Sequence, residues 1–414
     1  MCPMKRLLFS VLAAAALLQA CTLRIQEPEI VTEIIDPLAG KMVIHASLEQ
    51  GTRTGMSDLS VIWLAGDQIR VYNAANPSGV VFTLDPASAG SASGSFVGDE
   101  ISGTGPYYAV YPASAGGVLS GSSLGISLPE TQAWANASFG NGANPAVAYA
   151  ADLEDLPFKN VCGVLNLRLT GSATLSGVRL YTAGAERLCG SGYIDMDYGV
   201  DGPVLNLTGD ENILTDSRVL TLDCGTGVAL SGSALDFRIV VPAGTLASGF
   251  HVEIIDDAGE SMIKRAPAAA NNRVNRAKMR SMPAFAYAAQ YSPFLQSSQA
   301  GIFTGTLTGG VPTAVRALGD GGQFAWRTVS DVERRFRLQD WAQGYAIELT
   351  LSDPGSVGSL AMGEAYAFDI KALGATNGVS SATGKAVTLI KKWGDTGWFL
   401  DGDNRAYTIK LKEE

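Results

Sequence analysis

An all-β protein is what the sequence predicts, and three observations carry that expectation. With 48 Gly and 17 Pro in 414 residues, and abundant Ser, Thr and Asn, turn formers cut the chain into short pieces. The apolar residues between those breaks alternate with period two, whereas no helical run of convincing length occurs. Short alternating strands separated by polar turns at this spacing make a sandwich or a barrel. The length suits two or three domains of ordinary size, and no internal repeat is visible.

Taken in order, residues 1–20 read as an export signal. A basic start (Lys5, Arg6) precedes a twelve-residue apolar run, Leu7 to Leu18, and then Gln19-Ala20-Cys21. A membrane-spanning helix needs about 20 apolar residues, so this run is too short to span. A Cys directly after Ala20 matches a lipoprotein signal, with Cys21 as the acylated N-terminus; a plain signal peptide is the alternative, because Gln19 departs from the usual pattern. Residues 21–41 then form a tether, with Glu27, Glu29, Glu33, Asp36 and two prolines but no period.

Organised structure is expected from Met42, where Met42, Ile44, Ala46 and Leu48 alternate onto one face. A polar loop, Glu49 to Gly55, contains Arg53. Strands come next around Trp63–Tyr72 with its Gly66-Asp67 turn, and at Val80–Leu84, Gly94–Val97 and Tyr107–Pro112, completing a first β-sandwich over 42–170. A second, over 171–289, rests on the alternation in Val178-Leu180, Val219–Leu222, Phe237-Ile239-Val241 and Phe250-Val252-Ile254. Residues 290–414 predict a third, small β-domain, with strands at Tyr345–Leu351, Ala365–Lys371, Ala386–Lys391 and Tyr407–Leu411. Asp401-Gly402-Asp403-Asn404 reads as a hairpin turn. It lacks the spaced ligands and distal Glu of a calcium loop.

Charge and motifs narrow the function. A formal net charge of −10 disfavours a nucleic-acid backbone as partner. The basic stretch Lys264–Arg280 suits either an acidic partner such as lipopolysaccharide or a solvated strand face. Cys162, Cys189 and Cys224 are odd in number, have no metal-ligand spacing and read as small buried hydrophobes. Gly121-Ser122-Ser123-Leu124-Gly125 matches a nucleophile elbow by pattern, but that motif needs a following helix, and Ile126-Ser127-Leu128-Pro129 is extended. No phosphate loop, no metalloprotease motif and no paired carboxylates in a recognisable setting occur, so neither an enzyme nor a cofactor is expected. Trp326, Trp341, Trp393 and Trp398 lie in the third domain, either as a stacking face for sugar rings or as core.

Several of these residues together resemble a family. Thr52-Arg53-Thr54, Trp63 with Gly66-Asp67-Gln68-Ile69-Arg70-Val71-Tyr72, Phe96-Val97-Gly98 and Tyr107-Tyr108-Ala109-Val110-Tyr111-Pro112 come in the order found in the fimbrillin-like lipoproteins of Bacteroidia-type (type V) fimbriae. Leu188-Cys189-Gly190 with Ile194-Asp195, Phe237 to Gly244 with Gly249-Phe250-His251-Val252, Asn275-Arg276 and Met279 to Tyr287 extend the resemblance to residues 20–288. It implies tandem transthyretin-like β-sandwiches, here followed by the third domain. It also implies a structural or adhesive subunit of an outer-membrane fimbria, anchored by lipid at Cys21 and joined to other fimbrial subunits by β-strand addition. Arg53 matches the site where an Arg-specific protease releases the first strand; an ordinary loop residue is the alternative. The competing expectations are a stand-alone surface glycan-binding lipoprotein and a carbohydrate-active enzyme.

Overall fold

The computed structural model describes residues 40–49, 62–208, 217–317, 325–330, 333–340, 345–352, 359–374 and 378–413. The fold is all-β: among the described residues the regular structure is strand, interrupted by four single-turn 3-10 segments.

Five strands open the chain: β1 (Lys41–Leu48), β2 (Gln68–Asn73), β3 (Asn76–Leu84), β4 (Ser93–Asp99) and β5 (Tyr107–Tyr111). After an excursion through β6 (Gly116–Ser120), β7 (Ser123–Leu128), β8 (Thr131–Ala135) and β9 (Ser138–Phe139), the chain returns as β10 (Ala146–Ala150) and β11 (Leu156–Asn160). The strands of the first module close into a ring, β1-β11-β10-β5-β2-β3-β4. β1 closes it, antiparallel to β4 on one side and parallel to β11 on the other. The alternation of β1 explains its seat, since Ile44, Ala46 and Leu48 are buried while Val43 is exposed. At the centre of the ring Trp63 is fully buried, edge-on to Phe96, Tyr111 and Phe158 at 4.9, 5.2 and 5.6 Å between ring centroids. Trp63 precedes its strand rather than lying in it. The Asp67 carboxylate accepts from the Leu64 amide at 2.7 Å, turning the chain at Gly66, whose φ of 86° suits glycine.

The second module contains β12 (Cys162–Thr170), β13 (Thr174–Thr182), β14 (Gly190–Asp195), β15 (Leu205–Leu207), β16 (Val219–Ala229), β17 (Leu235–Pro242), β18 (Phe250–Asp256), β19 (Ser261–Ala266), β20 (Met279–Ser281) and β21 (Phe285–Ala286). Sheet β17-β12-β20, with β21 also on β12, packs against sheet β19-β18-β13-β16-β8-β9. Alternate residues of both sheets (Leu165, Leu167, Val178, Leu180, Ile239, Val252) meet in one core. Here the structure departs from the boundary at residue 170. β12 pairs with β17 from Cys162 to Leu169, so the strand belongs to the second module rather than the first. The excursion also crosses over: β7 pairs with β14 over six residues, and β8 runs parallel to β16. Leu124, Ile126 and Ile194 therefore share a core with Tyr72, Val110 and Val147 on the outer face of the ring.

The third module holds β22 (Gly301–Thr304), β23 (Thr313–Ala317), β24 (Ala325–Ser330), β25 (Glu333–Asp340), β26 (Tyr345–Ser352), β27 (Ala365–Leu373), β28 (Ala382–Trp393), β29 (Thr396–Asp401) and β30 (Arg405–Glu413). Its strands run in order from β24 to β30, and β30 pairs with both β24 and β29, which closes a second ring. Phe336, Phe368, Phe399 and Tyr407 fill it.

Candidate functional site

Three places carry the polar and pairing features of interest: β1, β30 and the junction between the second and third modules. Strand β1 holds its place through seven register pairs with β4, from Lys41↔Asp99 to Ser47↔Ser93, and three with β11. Its end is clamped by a residue that local sequence patterns do not single out. The Glu49 carboxylate accepts from the Asn160 amide at 3.1 Å and from both terminal nitrogens of Arg276, one of them at 3.1 Å. Arg276 is 227 residues away and also donates to the Asn160 carbonyl at 3.1 Å. Bidentate arginine–carboxylate pairs are among the stronger polar contacts. Arg53, just beyond this clamp, lies outside the described residues, as do Cys21 and Trp341.

At the other end of the chain, β30 has partners on both sides. It pairs with β29 from Thr396↔Lys410 to Leu400↔Ala406, and across its other edge with β22 and β24. The expected turn joins β29 to β30. Asp401 Oδ1 accepts from the amides of Asp403 and Arg405 at 2.9 and 3.0 Å, and Oδ2 from the Tyr407 hydroxyl at 3.2 Å. Asn404 takes a φ of 60°. The Asp401 carboxylate is thus engaged in holding the hairpin.

The junction between the second and third modules is built on buried charge. Glu253 on β18 and Lys391 on β28 are 0% and 1% exposed at their side chains, and they pair at 3.0 Å. Tyr181 donates to Glu253 at 2.6 Å, Gln296 at 2.9 Å and Arg179 at 3.3 Å, while Lys391 also donates to the Leu295 carbonyl at 2.7 Å. Burial pushes the Glu253 carboxyl up, but Lys391 and Arg179 outweigh it and hold it below its ordinary value. Burial acts the other way on its partner and pulls the Lys391 ammonium down to about 8, with Glu253 opposing that fall.

This junction accounts for two of the four tryptophans. Trp398 is 2% exposed and donates its indole N–H to the Ser297 carbonyl at 3.0 Å. Trp393 is 39% exposed, with the Arg179 guanidinium 4.4 Å from its ring centroid and the Lys391 ammonium at 5.7 Å. The exposed ring is thus engaged by protein cations, and the buried one is packing. Trp326 lies within β24.

Other candidates sort by their partners. The Gly121–Gly125 match is the turn and first residues of the β6–β7 hairpin, with Ser122 Oγ donating to Asp195 at 3.1 Å and strand rather than helix coming next. Cys162, Cys189 and Cys224 are buried in the interior, Cys189 Sγ donates to the Val219 carbonyl at 3.2 Å, and burial pushes the Cys224 thiol up to about 12. Of the basic stretch, Arg276 holds Glu49, Arg265 pairs with Glu364 at 3.0 Å, and the Lys264 ammonium sits 4.1 Å from the Phe285 ring centroid. A polar crevice of about 460 Å³ is lined by Asp67, Gln68, Tyr111 and Asn141. The Tyr111 hydroxyl is 3.1 Å from both Asp67 and Asn141, and burial pushes the Asp67 carboxyl above its ordinary value.

No family model matches the sequence, and neither does any curated protein. Among solved structures, the chain is similar to two proteins provisionally described as cell adhesion proteins. One is from Bacteroides ovatus (13% identity, TM-score 0.36, 60% of this chain and 92% of that one). The other is from Bacteroides uniformis (14% identity, TM-score 0.35, 60% and 95%). It is also similar to a fimbrial protein from Bacteroides ovatus (9% identity, TM-score 0.27, 66% and 53%).

Proposed function

We propose that the chain is an exported subunit of a cell-surface fimbria, structural and adhesive rather than catalytic, placed at the tip or as an accessory. In this reading Cys21 carries the lipid that anchors it to the outer membrane, and Arg53 is the processing site that frees β1.

The observation that carries the reading is the seat of β1. Removing it would open a groove between β4 and β11, leaving their backbone donors and acceptors unpaired and the core around Phe96 and Phe158 uncovered. A strand from a neighbouring subunit would restore the ladder, with backbone hydrogen bonds giving affinity and alternate side chains filling the places of Ile44, Ala46 and Leu48.

The C-terminal strand supports the position at an end. A stalk subunit must donate a strand as well as accept one, and β30 is paired along both edges with Tyr407, Ile409 and Leu411 buried. Extracting it would break the ring of the third module and expose those side chains, at about 1.5–3 kcal/mol each. Immunogold labelling of this subunit on intact fimbriae tests the position. Label at fibre ends, with the purified full-length chain failing to form long polymers alone, is expected. Label along the shaft or extended homopolymers would replace the tip by the stalk.

A further inference from the structure

The polar crevice of about 460 Å³ lies where the first module meets the β6–β9 excursion. Its walls come from the Gly66-Asp67 turn before β2, the residues just after β5, the end of β7, the start of β8 and the loop between β9 and β10. These walls are fixed by contacts of their own. Gln132 on β8 is buried, and its side-chain amide donates to the Val240 carbonyl at 2.8 Å and accepts from the Val240 amide at 2.9 Å. A Cβ at Gly140 would lie 2.4 Å from the Ala133 carbonyl oxygen, so only glycine lets the loop that carries Asn141 close onto β8.

Hydrogen-bonding capacity is left over in the crevice. The Tyr111 hydroxyl carries one proton but faces two acceptors, Asp67 Oδ1 and Asn141 Oδ1, each at 3.1 Å, so one of them needs a further donor. Among the described residues Asp67 accepts from the Leu64 amide and the Tyr111 hydroxyl, whereas a carboxylate has room for about four donors. Burial pushes its carboxyl above the ordinary value, and added donors would relieve that by stabilising the charge. Asn141, Ser114, Ser127 and Thr131 are exposed along the lining. The Asn141 amide nitrogen and the three hydroxyls have no hydrogen-bond partner among the described residues.

We propose that this crevice binds a neutral saccharide, whose hydroxyls donate to Asp67 and accept from Asn141. A sugar hydroxyl both donates and accepts, which matches a lining that mixes the two, and the volume is that of a small-molecule site. Among the described residues no Lys, Arg or His lines the crevice. With the Asp67 carboxylate present and a formal net charge of −10, an anion is disfavoured. No Leu, Ile, Val, Met or Phe lines it either, so a peptide side chain finds no apolar seat. Pro112 and Pro129 offer shallow apolar surface to the C–H face of a sugar ring. No residue of β1 belongs to the lining, so binding requires no entry of the chain into a fibre.

Isothermal titration of the full chain with cellobiose, lactose, mannobiose and glucuronic acid tests it. At least one neutral disaccharide should bind with a Kd of about 1 mM or tighter, and glucuronic acid at least about tenfold more weakly. Asp67→Asn, which keeps an acceptor for the turn but removes the charge, should weaken the disaccharide by about tenfold or more. Asn141→Ala leaves Asp67 and its turn in place; it should weaken binding by about as much without moving the thermal midpoint, and it decides the matter if the first variant fails to fold. Absence of binding by all three disaccharides, equal binding of glucuronic acid, or unchanged affinity in Asn141→Ala would overturn the proposal.

Discussion

Glu253 and Lys391 show how single residues join the second and third modules. Two charges removed from water are costly, and they persist here because Tyr181, Gln296, Arg179 and the Leu295 carbonyl satisfy them together. Lys391→Met should leave the buried Glu253 with Arg179 as its cationic partner and without its closest one, and lower the unfolding free energy by about 3 kcal/mol. A Glu253→Leu/Lys391→Met pair should recover much of that loss. Urea denaturation of both variants measures it, and a single-variant loss below about 1 kcal/mol would show that the pair does not hold the junction. None of this was legible locally. Phe250, Val252 and Ile254 alternate inward, so period two puts His251 and Glu253 on the opposite face of β18 without saying what covers it. They are buried because another module covers that face, which local periodicity does not encode.

At the scale of elements, strands with strong alternation were legible to within a few residues. β1, β5, β17, β26–β28 and β30 fall where the sequence places them. The β6–β9 segment was not, since its Gly- and Ser-rich strands find their partners far along the chain, as in Gly125↔Tyr193. β25 was hidden by charge: Arg335 and Arg337 flank the one fully buried side chain identified there, Phe336. The clamp on β1 was equally invisible, because Glu49 and Arg276 meet only through the tertiary fold. Its removal offers an element-scale test. Arg276→Ala should cost about 1–2 kcal/mol of local stability, as expected for a partly exposed charged hydrogen bond. Amides of β1 should then exchange with solvent about five- to thirtyfold faster, whereas those of β13 and β18 keep their protection. Equal acceleration in all three strands, or none, would mean that Arg276 does not specifically retain β1.

Over the whole molecule a ring, a sandwich and a second ring follow one another along the chain, and β1 and β30 have different consequences. β1 connects through residues 50–61 to the rest of its ring, so a single cut at Arg53 would leave it attached by noncovalent contacts alone. β30 is locked between three neighbours. Under the proposed strand exchange, a molecule so built would accept a strand more readily than it would give one. The all-β class and the extra C-terminal module were legible from turn spacing and alternation. The closure of the rings was not, because it depends on pairings such as β1 with β11 across more than a hundred residues. The measurement that tests the account most directly is the N-terminal sequence of this chain recovered from intact fimbriae. Strand exchange after processing at Arg53 predicts a start at Thr54. A start at Met42 or earlier, in fibres that remain assembled, would contradict it.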